Sequence, residues 1–227
     1  MYKLYCFLEA LDQSEGCAAE DVFSAQGQAA AALLQSIYPT SVAHVQTRAL
    51  PTQLEDALPA YAGALEVYFD SKSAALDVYR NCSMLSPLWN HKHVQLGASL
   101  LGLQRVVSRL PAHHLQPSIK GVFPFRRRAD LSIADFQAHW WHRHAPIAAQ
   151  TQDAVYYPQC HPLADCYEAA RPPFDGVTEL HWPDYDSAVA AMQSEQMQQD
   201  QANDAQNFVD TDSVILFFGV EEAVTPP

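Results

Sequence analysis

The stretch Leu131–Ile147, which reads LSIADFQAHWWHRHAPI, is the most informative part of the sequence. Ser132 and Asp135 have the spacing of a capping box, in which the serine oxygen accepts a free N–H group of the first helical turn. Apolar residues then recur at helical spacing, and this pattern predicts an amphipathic helix over Ser132–Gln150. Pro146 disfavours helical geometry at the residue before it, so we expect the helix to end or bend there.

The residues around this helix resemble those of a known family. A short apolar strand, Ile119–Phe125, and a basic turn, residues 126–128, precede the helix, and Trp140 and His144-Ala145-Pro146 close it. This succession of strand, basic turn, capped helix and terminal W…H-A-P resembles the EthD family of the dimeric α+β barrel superfamily. The resemblance extends over about residues 120–222 and does not cover the first half of the chain.

The rest of the chain alternates predicted strands and helices in the order β-α-β-β-α-β, twice. In the first half the predicted elements are strand Tyr2–Glu9, helix Glu20–Tyr38, strands Val42–Ala49 and Leu65–Phe69, helix Ser71–Asn81 and strand Leu101–Leu110, with Cys82–Leu96 as loop. In the second half, beyond the strand and helix already named, they are strands Val155–His161 and Val177–Trp182, helix Asp184–Gln199 and strand Ser213–Val220.

A single shift relates the two halves. Adding 113 to the residue number takes Gln46 to Gln159, Gly63 to Gly176, Glu66 to Glu179, Asn90 to Asn203 and Leu103 to Leu216. The shared shift predicts an α+β protein made of two tandem ferredoxin-like repeats, residues 1–112 and 117–227. The uncovered face of each antiparallel sheet must be buried, so we expect the two sheets to face each other as a fused dimeric α+β barrel.

Composition limits the classes of partner. The 227 residues carry 13 basic and 26 acidic side chains, for a net charge of −13, which argues against nucleic acid or an anionic membrane as a partner. We find neither an apolar run of roughly 18 residues nor the pattern of a signal peptide. The five cysteines form no C-x-x-C pair, which favours reduced thiols in a cytoplasmic protein. A homodimer remains an open prediction.

Strand alternation predicts which polar side chains line a pocket between the sheets. Glu179 and His181 share one face of the predicted strand Val177–Trp182. Tyr157, Gln159 and His161 share one face of the predicted strand Val155–His161. The corresponding residues of the first half are His44, Gln46, Arg48, Glu66 and Tyr68. Plain solvated faces are the alternative interpretation. Cys160 is predicted to face the helices.

His144 is the sharpest catalytic candidate, because it occupies the position of the family's H-A-P histidine. A histidine that caps the last carbonyls of the helix is the alternative. At the shift of 113, Trp140 and His144 fall opposite Gly27 and Ala31, so we expect one functional pocket. In this hypothesis His144 or His161 moves the proton, Tyr157 and Gln159 polarise an oxygen, and Glu179, with a pKa raised beside Glu66, is the partner acid or base.

We find no phosphate-binding loop, dinucleotide fingerprint or metal motif, so we predict no cofactor and no metal. The pairs His139/His142 and His91/His93 lack a carboxylate partner at ligand spacing and are predicted to be surface residues. The family resemblance implies binding of a small apolar, aromatic or polyketide-like molecule. Superfamily relatives include cofactor-free lyases, dehydratases, cyclases and isomerases, as well as monooxygenases and haem enzymes.

We therefore predict a cofactor-independent acid–base enzyme of the lyase, dehydratase, cyclase or isomerase type. Two alternatives stay open. One is a binding or carrier protein without chemistry. The other is an EthD-type oxidoreductase or accessory protein of an oxidative degradation pathway.

Overall fold

The computed structural model describes residues 1–10, 27–30, 32–36, 42–51, 54, 59–82, 94–110 and 119–225. In the first half the strands are β1 (Tyr2–Ala10), β2 (Val42–Ala49), β3 (Gly63–Phe69) and β4 (Val94–Arg109), and the helices are α1 (residues 27–30 and 32–36) and α2 (Lys72–Arg80). Because β4 pairs with β1 as far as Val94, it begins earlier than predicted. The predictions on residues 83–93, on Ala31 and on the rest of the first helix lie outside the described residues.

The second half adds five strands: β5 (Ile119–Arg127), β6 (Tyr156–Pro162), β7 (Gly176–Trp182), β8 (Val209–Asp210) and β9 (Phe217–Thr225). Its helices are α3 (Ile133–His139, a π-helical turn Trp140–His144, and Ala145–Ala148), α4 (Cys166–Ala169), α5 (Tyr185–Gln193) and α6 (a π-helical turn Gln196–Gln201, then Ala202–Ala205). None of the helices among these described residues is both long and apolar enough to cross a bilayer.

Two predicted elements of the second half have different bounds. The predicted helix Asp184–Gln199 is divided at Ser194, whose backbone is extended and whose hydroxyl accepts the Met197 N–H at 3.2 Å. This cap starts a new helix, α6. The last strand begins later than predicted because a short 3-10 turn, Thr211–Ser213, precedes it.

Eight antiparallel strands close into a barrel in the order β7-β6-β4-β1-β3-β2-β9-β5, and β5 pairs with β7 to complete the ring. Each half supplies four neighbouring strands, in the orders β4-β1-β3-β2 and β9-β5-β7-β6. The halves join where β4 pairs with β6 and where β2 pairs with β9. The predicted α+β fold with an antiparallel barrel is confirmed.

The shift of 113 relates the second and third strands of each half. The strands β3 and β7 have the bounds Gly63–Phe69 and Gly176–Trp182, which differ by 113 at both ends. Their pairing with β2 and β6 keeps the same shift, since Gln46 lies beside Leu65 and Gln159 lies beside Thr178.

The first strands differ by 117 instead. Lys3 lies beside Tyr68 in β3, and Lys120 lies beside His181 in β7. Because Tyr68 and His181 are 113 apart, Lys3 and Lys120 occupy equivalent positions although 117 residues separate them.

The fourth strands also differ by 117, because Gly102 lies beside Lys3 and Gly219 lies beside Lys120. The predicted correspondence of Leu103 with Leu216 is therefore wrong by four residues. A single sequence shift cannot follow both strand pairs when the segments between them differ in length.

Side chains fill both faces of the barrel wall. Outside, apolar residues of the strands pack under the helices of each half, and Leu65, Val67, Leu180 and Trp182 are examples. Inside, the aromatic residues Tyr5, Phe7, Tyr61, Phe174 and Phe217 form one cluster. The predicted pocket between the sheets is thus occupied by packed side chains along the described strands.

Helix α3 begins at its predicted cap, Ser132, and contains a π turn before Pro146. The N–H of Asp135 donates to Ser132 Oγ at 3.0 Å, and the Ser132 hydroxyl donates to the Asp135 carboxylate at 2.6 Å. Near the other end, the N–H of Ala145 donates to the carbonyl of Trp140, five residues back. This π turn widens the helix immediately before Pro146, which has no N–H to donate. The helix therefore continues to Ala148 with a distortion before Pro146, so of the two predicted alternatives, an end or a bend, the end is wrong.

Candidate functional site

A cavity of about 340 Å³ lies outside the barrel, between the sheet of the second half and the helices α3, α5 and α6. This volume falls within the range of roughly 300–1,000 Å³ that small-molecule sites occupy. The apolar part of its lining includes Phe123, Phe125, Trp140, Met192, Met197 and Phe208. The polar part consists of His144, Thr178, Gln198 and Gln201. Such a lining suits an apolar molecule with one or two polar atoms.

The inner wall of the cavity is an aromatic cluster centred on Trp140. The indole of Trp140 is fully buried and meets the ring of Phe125 edge-on at 5.0 Å between centroids. Gly176 on β7 lies directly beneath it, because a Cβ atom at Gly176 would come within 2.7 Å of the indole. Glycine at this position lets the ring lie against the strand.

Replacing Gly176 by alanine is expected to lower the free energy of unfolding by about 1–3 kcal/mol, because the rigid buried indole must move. Urea unfolding measures the loss. Gly97→Ala is the matched control, since a Cβ there meets the end of the flexible Glu9 side chain at 2.6 Å, which can rotate away. Equal losses in the two variants would contradict this account of the wall.

His144 is the titratable side chain on the cavity wall. Its Nδ1 lies 2.9 Å from Oδ2 of Asp204, which belongs to α6. An ionised carboxylate only accepts hydrogen bonds, so we assign the hydrogen of the neutral imidazole to Nδ1. The lone pair then remains on Nε2. The side chain does not cap the helix, and the histidine–aspartate pair has the arrangement of an acid–base group.

The surroundings keep His144 uncharged at neutral pH. Burial lowers the pKa of His144 below its ordinary value of 6.5, and the contact with Asp204 offsets only part of this effect. A neutral imidazole with a fixed tautomer can accept a proton from a bound molecule.

A second cluster of charges lies inside the barrel. Lys3 Nζ lies 2.7 Å from Glu66 and also contacts Glu179, and Lys120 Nζ lies 2.6 Å from Glu66 and 3.6 Å from Glu179. All four side chains are buried. Each lysine therefore bridges a glutamate from its own half and one from the other half. Further hydrogen bonds to the two carboxylates come from Tyr5, Thr47, Tyr68 and His181.

This cluster places Glu66, Tyr68, Glu179 and His181 on the inner face, as alternation predicts. The prediction of a raised pKa for Glu179 is wrong. Burial alone would raise the pKa of Glu179, but the ammonium groups of Lys120 and Lys3 outweigh it and hold that pKa well below its ordinary value. Glu179 is therefore an ionised partner of the lysines and a poor proton donor.

The described residues contain no group of three or more His, Cys, Asp or Glu side chains placed to hold a metal ion. His139 lies close to the cavity, where its Nε2 is 3.0 Å from Oδ1 of Asp204. The prediction that His139 is a surface residue without a carboxylate partner is thus wrong, because the partner comes from α6. His142 is exposed, as predicted. His91 and His93 lie outside the described residues.

Comparison with protein families gives a match in the same region. Residues 128–212 match the family described as EthD domain. This part of the second half is thus similar to an EthD domain. The match includes α3, α5 and α6, and with them His144 and Asp204. A search of curated proteins found no match.

Two of the similar solved structures share the fold over nearly the whole chain. A mutant chlorite dismutase from Candidatus Nitrospira defluvii has a TM-score of 0.57 at 12% identity and covers 98% of this chain and 91% of its own. An anthrone oxidase-like protein has a TM-score of 0.57 at 9% identity and covers 99% of this chain and 92% of its own. An EthD family protein from Bacillus halodurans is 19% identical over 47% of this chain and 99% of its own, with a TM-score of 0.39.

Three residues predicted to face the space between the sheets lie instead under α3. The side-chain amide of Gln159 donates to the Tyr157 hydroxyl at 2.6 Å and to the Trp140 carbonyl at 3.5 Å. The His161 Nε2 atom lies 2.9 Å from the amide oxygen of Gln159. The His161 ring stacks on Trp140 at 4.2 Å. Together these residues support Trp140 from the side away from the cavity lining.

The pKa values of this group do not favour proton transfer at neutral pH. Burial, with a smaller effect from Arg105, lowers the pKa of His161 to about 3. Burial also raises the pKa of the Tyr157 hydroxyl. Cys160, predicted to face the helices, lies inside the barrel, where its Sγ is 3.9 Å from the carbonyl of Lys3. Alternation gave the two faces of β6 correctly but assigned them to the wrong sides.

The same correction applies to β2 in the first half. A Cβ atom at Gly27 would lie 2.0 Å from Oε1 of Gln46, so Gln46 points at α1 and away from the barrel interior. His44 and Arg48 share its face by alternation. His44 is buried, which lowers its pKa, and Arg48 forms an ion pair with Glu222. These three residues do not border the cavity that His144 lines.

Proposed function

We propose that the EthD domain binds a small apolar, aromatic molecule in the cavity and that His144 removes a proton from it as a general base. The observation that carries the proposal is the position of His144 on the cavity wall with Nδ1 held by Asp204. Of the described residues that line the cavity, His144 alone has a titratable side chain. General acid–base groups are typically worth 10²–10⁴-fold in rate.

The lining suggests the class of substrate. Rings of Phe123, Phe125 and Trp140 favour a flat aromatic molecule, and Met192 and Met197 can adjust to its outline. Neutral His144 can remove only a weakly held proton, such as that of a carbon next to a ketone or conjugated with it through an aromatic ring. The hydroxyl of Thr178 and the amide of Gln198 are the polar groups that could bind its oxygen. An aromatic ketone or a polyketide-like molecule fits these conditions.

Two outcomes could follow proton removal. In a lyase, dehydratase, cyclase or isomerase, the carbanion is reprotonated elsewhere or expels a leaving group. In an oxidation at a CH2 carbon, the carbanion forms a C–O bond with dioxygen, and the hydroperoxide that results on protonation loses water to leave a carbonyl group at that carbon. The anthrone oxidase-like and chlorite dismutase neighbours favour keeping the oxidative candidate. The EthD domain match is compatible with both.

Deuterium exchange separates these candidates from a carrier. Anthrone and related aromatic ketones are incubated with the protein in D2O without oxygen, and NMR follows the loss of the acidic C–H signal relative to buffer. The proposal expects faster exchange with protein. An oxygen electrode then tests whether dioxygen is consumed when it is admitted. Saturable binding of the ketones without faster exchange would support the carrier alternative and refute the general base.

The activity is expected to depend on pH through His144. Because burial holds its pKa below 6.5, kcat/KM for proton removal should be constant around pH 7 and fall at more acidic pH as the imidazole takes up a proton. Asp204→Asn removes the contact that raises this pKa, so the acidic limb should move to lower pH while the rate falls. A pH–rate profile of both proteins measures this. An acidic limb that stays in place in Asp204→Asn would contradict the pairing.

We also propose that residues 1–112 and 117–227 are tandem ferredoxin-like repeats. The equal strand orders of the two halves and the equivalent positions of Lys3 and Lys120 support a duplication. Only the second repeat then carries the cavity residues Trp140 and His144, since Gly27 stands at the position of Trp140. The expression of residues 117–227 alone, followed by NMR, would test whether this repeat folds as a unit.

A further inference from the structure

One carboxylate in this chain is shared by two histidines of the same helix. His139 Nε2 lies 3.0 Å from Asp204 Oδ1, and His144 Nδ1 lies 2.9 Å from Asp204 Oδ2. Both rings also pack against Phe208, with centroid distances of 5.0 Å and 4.9 Å. The two imidazoles are thus held side by side on one carboxylate.

The π turn explains how two residues five apart reach the same partner. In a regular α-helix, side chains three or four apart share a face, whereas residues five apart diverge. The turn Trp140–His144 adds one residue to the helical repeat, as the bond from the Ala145 N–H to the Trp140 carbonyl shows. His139 and His144 therefore come into line. Single π turns of this kind often occur at functional sites.

The orientation of Asp204 depends on what its two carboxylate oxygens contact. The carboxylate also borders a polar surface groove that is lined by Gln150, Asp200, Asn203 and Asn207. Side-chain amides or water in that groove could draw the carboxylate away from His144. A hydrogen bond to the second oxygen from inside the protein opposes this movement.

We propose that His139 is a positioning residue that holds Asp204 so that His144 presents Nε2 to the cavity. His139 donates its Nε2–H to Oδ1, and Oδ2 then accepts the Nδ1–H of His144. The consequence for rate rests on the proposed function, whereas the hydrogen-bond arrangement does not. Asp204, on α6, is the titratable group that contacts both histidines, and Asp200 lines the groove that Asp204 borders.

The test compares His139→Phe with His139→Gln by ¹⁵N NMR of the histidine side chains in the ligand-free protein. Phenylalanine keeps the packing on Phe208 but donates no hydrogen bond, so His144 should lose its uniform Nδ1–H tautomer. Glutamine has an amide donor at a similar reach and should restore that tautomer. His142→Phe, on the exposed face of α3, is the matched control and should change nothing.

Deuterium exchange into an aromatic ketone provides the second reading. His139→Phe should slow it by about 10- to 100-fold, as misplaced catalytic groups do, with KM nearly unchanged. His139→Gln should recover most of the rate. If His139→Phe does not fold, His139→Ala replaces it.

An unchanged His144 tautomer in His139→Phe or its alanine replacement would overturn the positioning role. If the wild-type protein does not speed deuterium exchange but His139→Phe still changes the His144 tautomer, the proposed function is refuted and the positioning role is supported.

Discussion

Replacement of His144 by glutamine is expected to slow deuterium exchange into a bound aromatic ketone by about 10²–10⁴-fold. His144 is the titratable group on the cavity wall, and no other described lining residue can accept a proton at neutral pH. Glutamine keeps a polar side chain of similar reach, so binding should change much less than the rate.

The control for this variant is His142→Gln, which alters an exposed histidine on the same helix. It should leave exchange at the wild-type rate. His161→Ala tests the competing candidate, because His161 supports Trp140 from behind and should act mainly through stability and binding. A His144→Gln protein that binds the ketone and exchanges its proton at the wild-type rate would place the base elsewhere.

Replacement of Lys120 by methionine is expected to lower the free energy of unfolding by about 3–5 kcal/mol, the usual loss when one partner of a buried ion pair is removed. Lys120 is fully buried and contacts Glu66, Glu179 and Glu221. Without it, two buried carboxylates would share Lys3 alone. Urea unfolding, with the same m-value required of each variant, measures the loss.

Two further variants decide whether charge balance is the cause. Lys120→Met combined with Glu66→Gln restores the balance and should lose less than the single variant. Lys72→Met removes the surface ion pair with Asp165, whose partners are 2.7 Å apart and partly exposed, and should change stability little. If the losses of Lys120→Met and Glu66→Gln simply add in the double variant, the cluster does not act as a unit.

The cluster also predicts acid sensitivity. Because the pKa of folded Glu179 lies well below 4.5, its contribution to stability is fully present above that pH. It is lost as the pH falls through the folded pKa, since the unfolded chain then binds the proton more readily. Glu179, predicted from the sequence to be a catalytic acid or base, instead belongs with Glu66 to a buried ion-pair cluster.

The sequence predicted the local features well. The cap at Ser132 and the alternation of β3 and β7 depend on neighbouring residues, and the structure has them where the pattern places them. The shift of 113 is likewise visible in two pairs of strands. These features need no knowledge of distant contacts.

The features that the sequence did not predict depend on distant contacts. Alternation divides β6 into two faces but cannot say which face meets a helix, and both faces of this barrel are buried. Asp204 lies 60 residues from His144 in sequence, and no spacing rule joins them. One signal could have revealed the inner cluster, because a lone lysine stands in the apolar first strand of each half, at Lys3 and Lys120. Pro146 predicted an end or a bend of the helix, but the proline alone does not indicate that the distortion is a π turn.

Methionine methyl NMR shows directly whether an aromatic ketone binds in the cavity that His144 lines. The chain has four methionines, of which Met192 and Met197 line the cavity and Met1 is 60% exposed. On titration with anthrone, the methyl signals of Met192 and Met197 should shift together and saturate, while that of Met1 should stay in place. Met192→Leu and Met197→Leu assign the signals. Saturable binding of anthrone that leaves both cavity methyls unmoved would contradict the account.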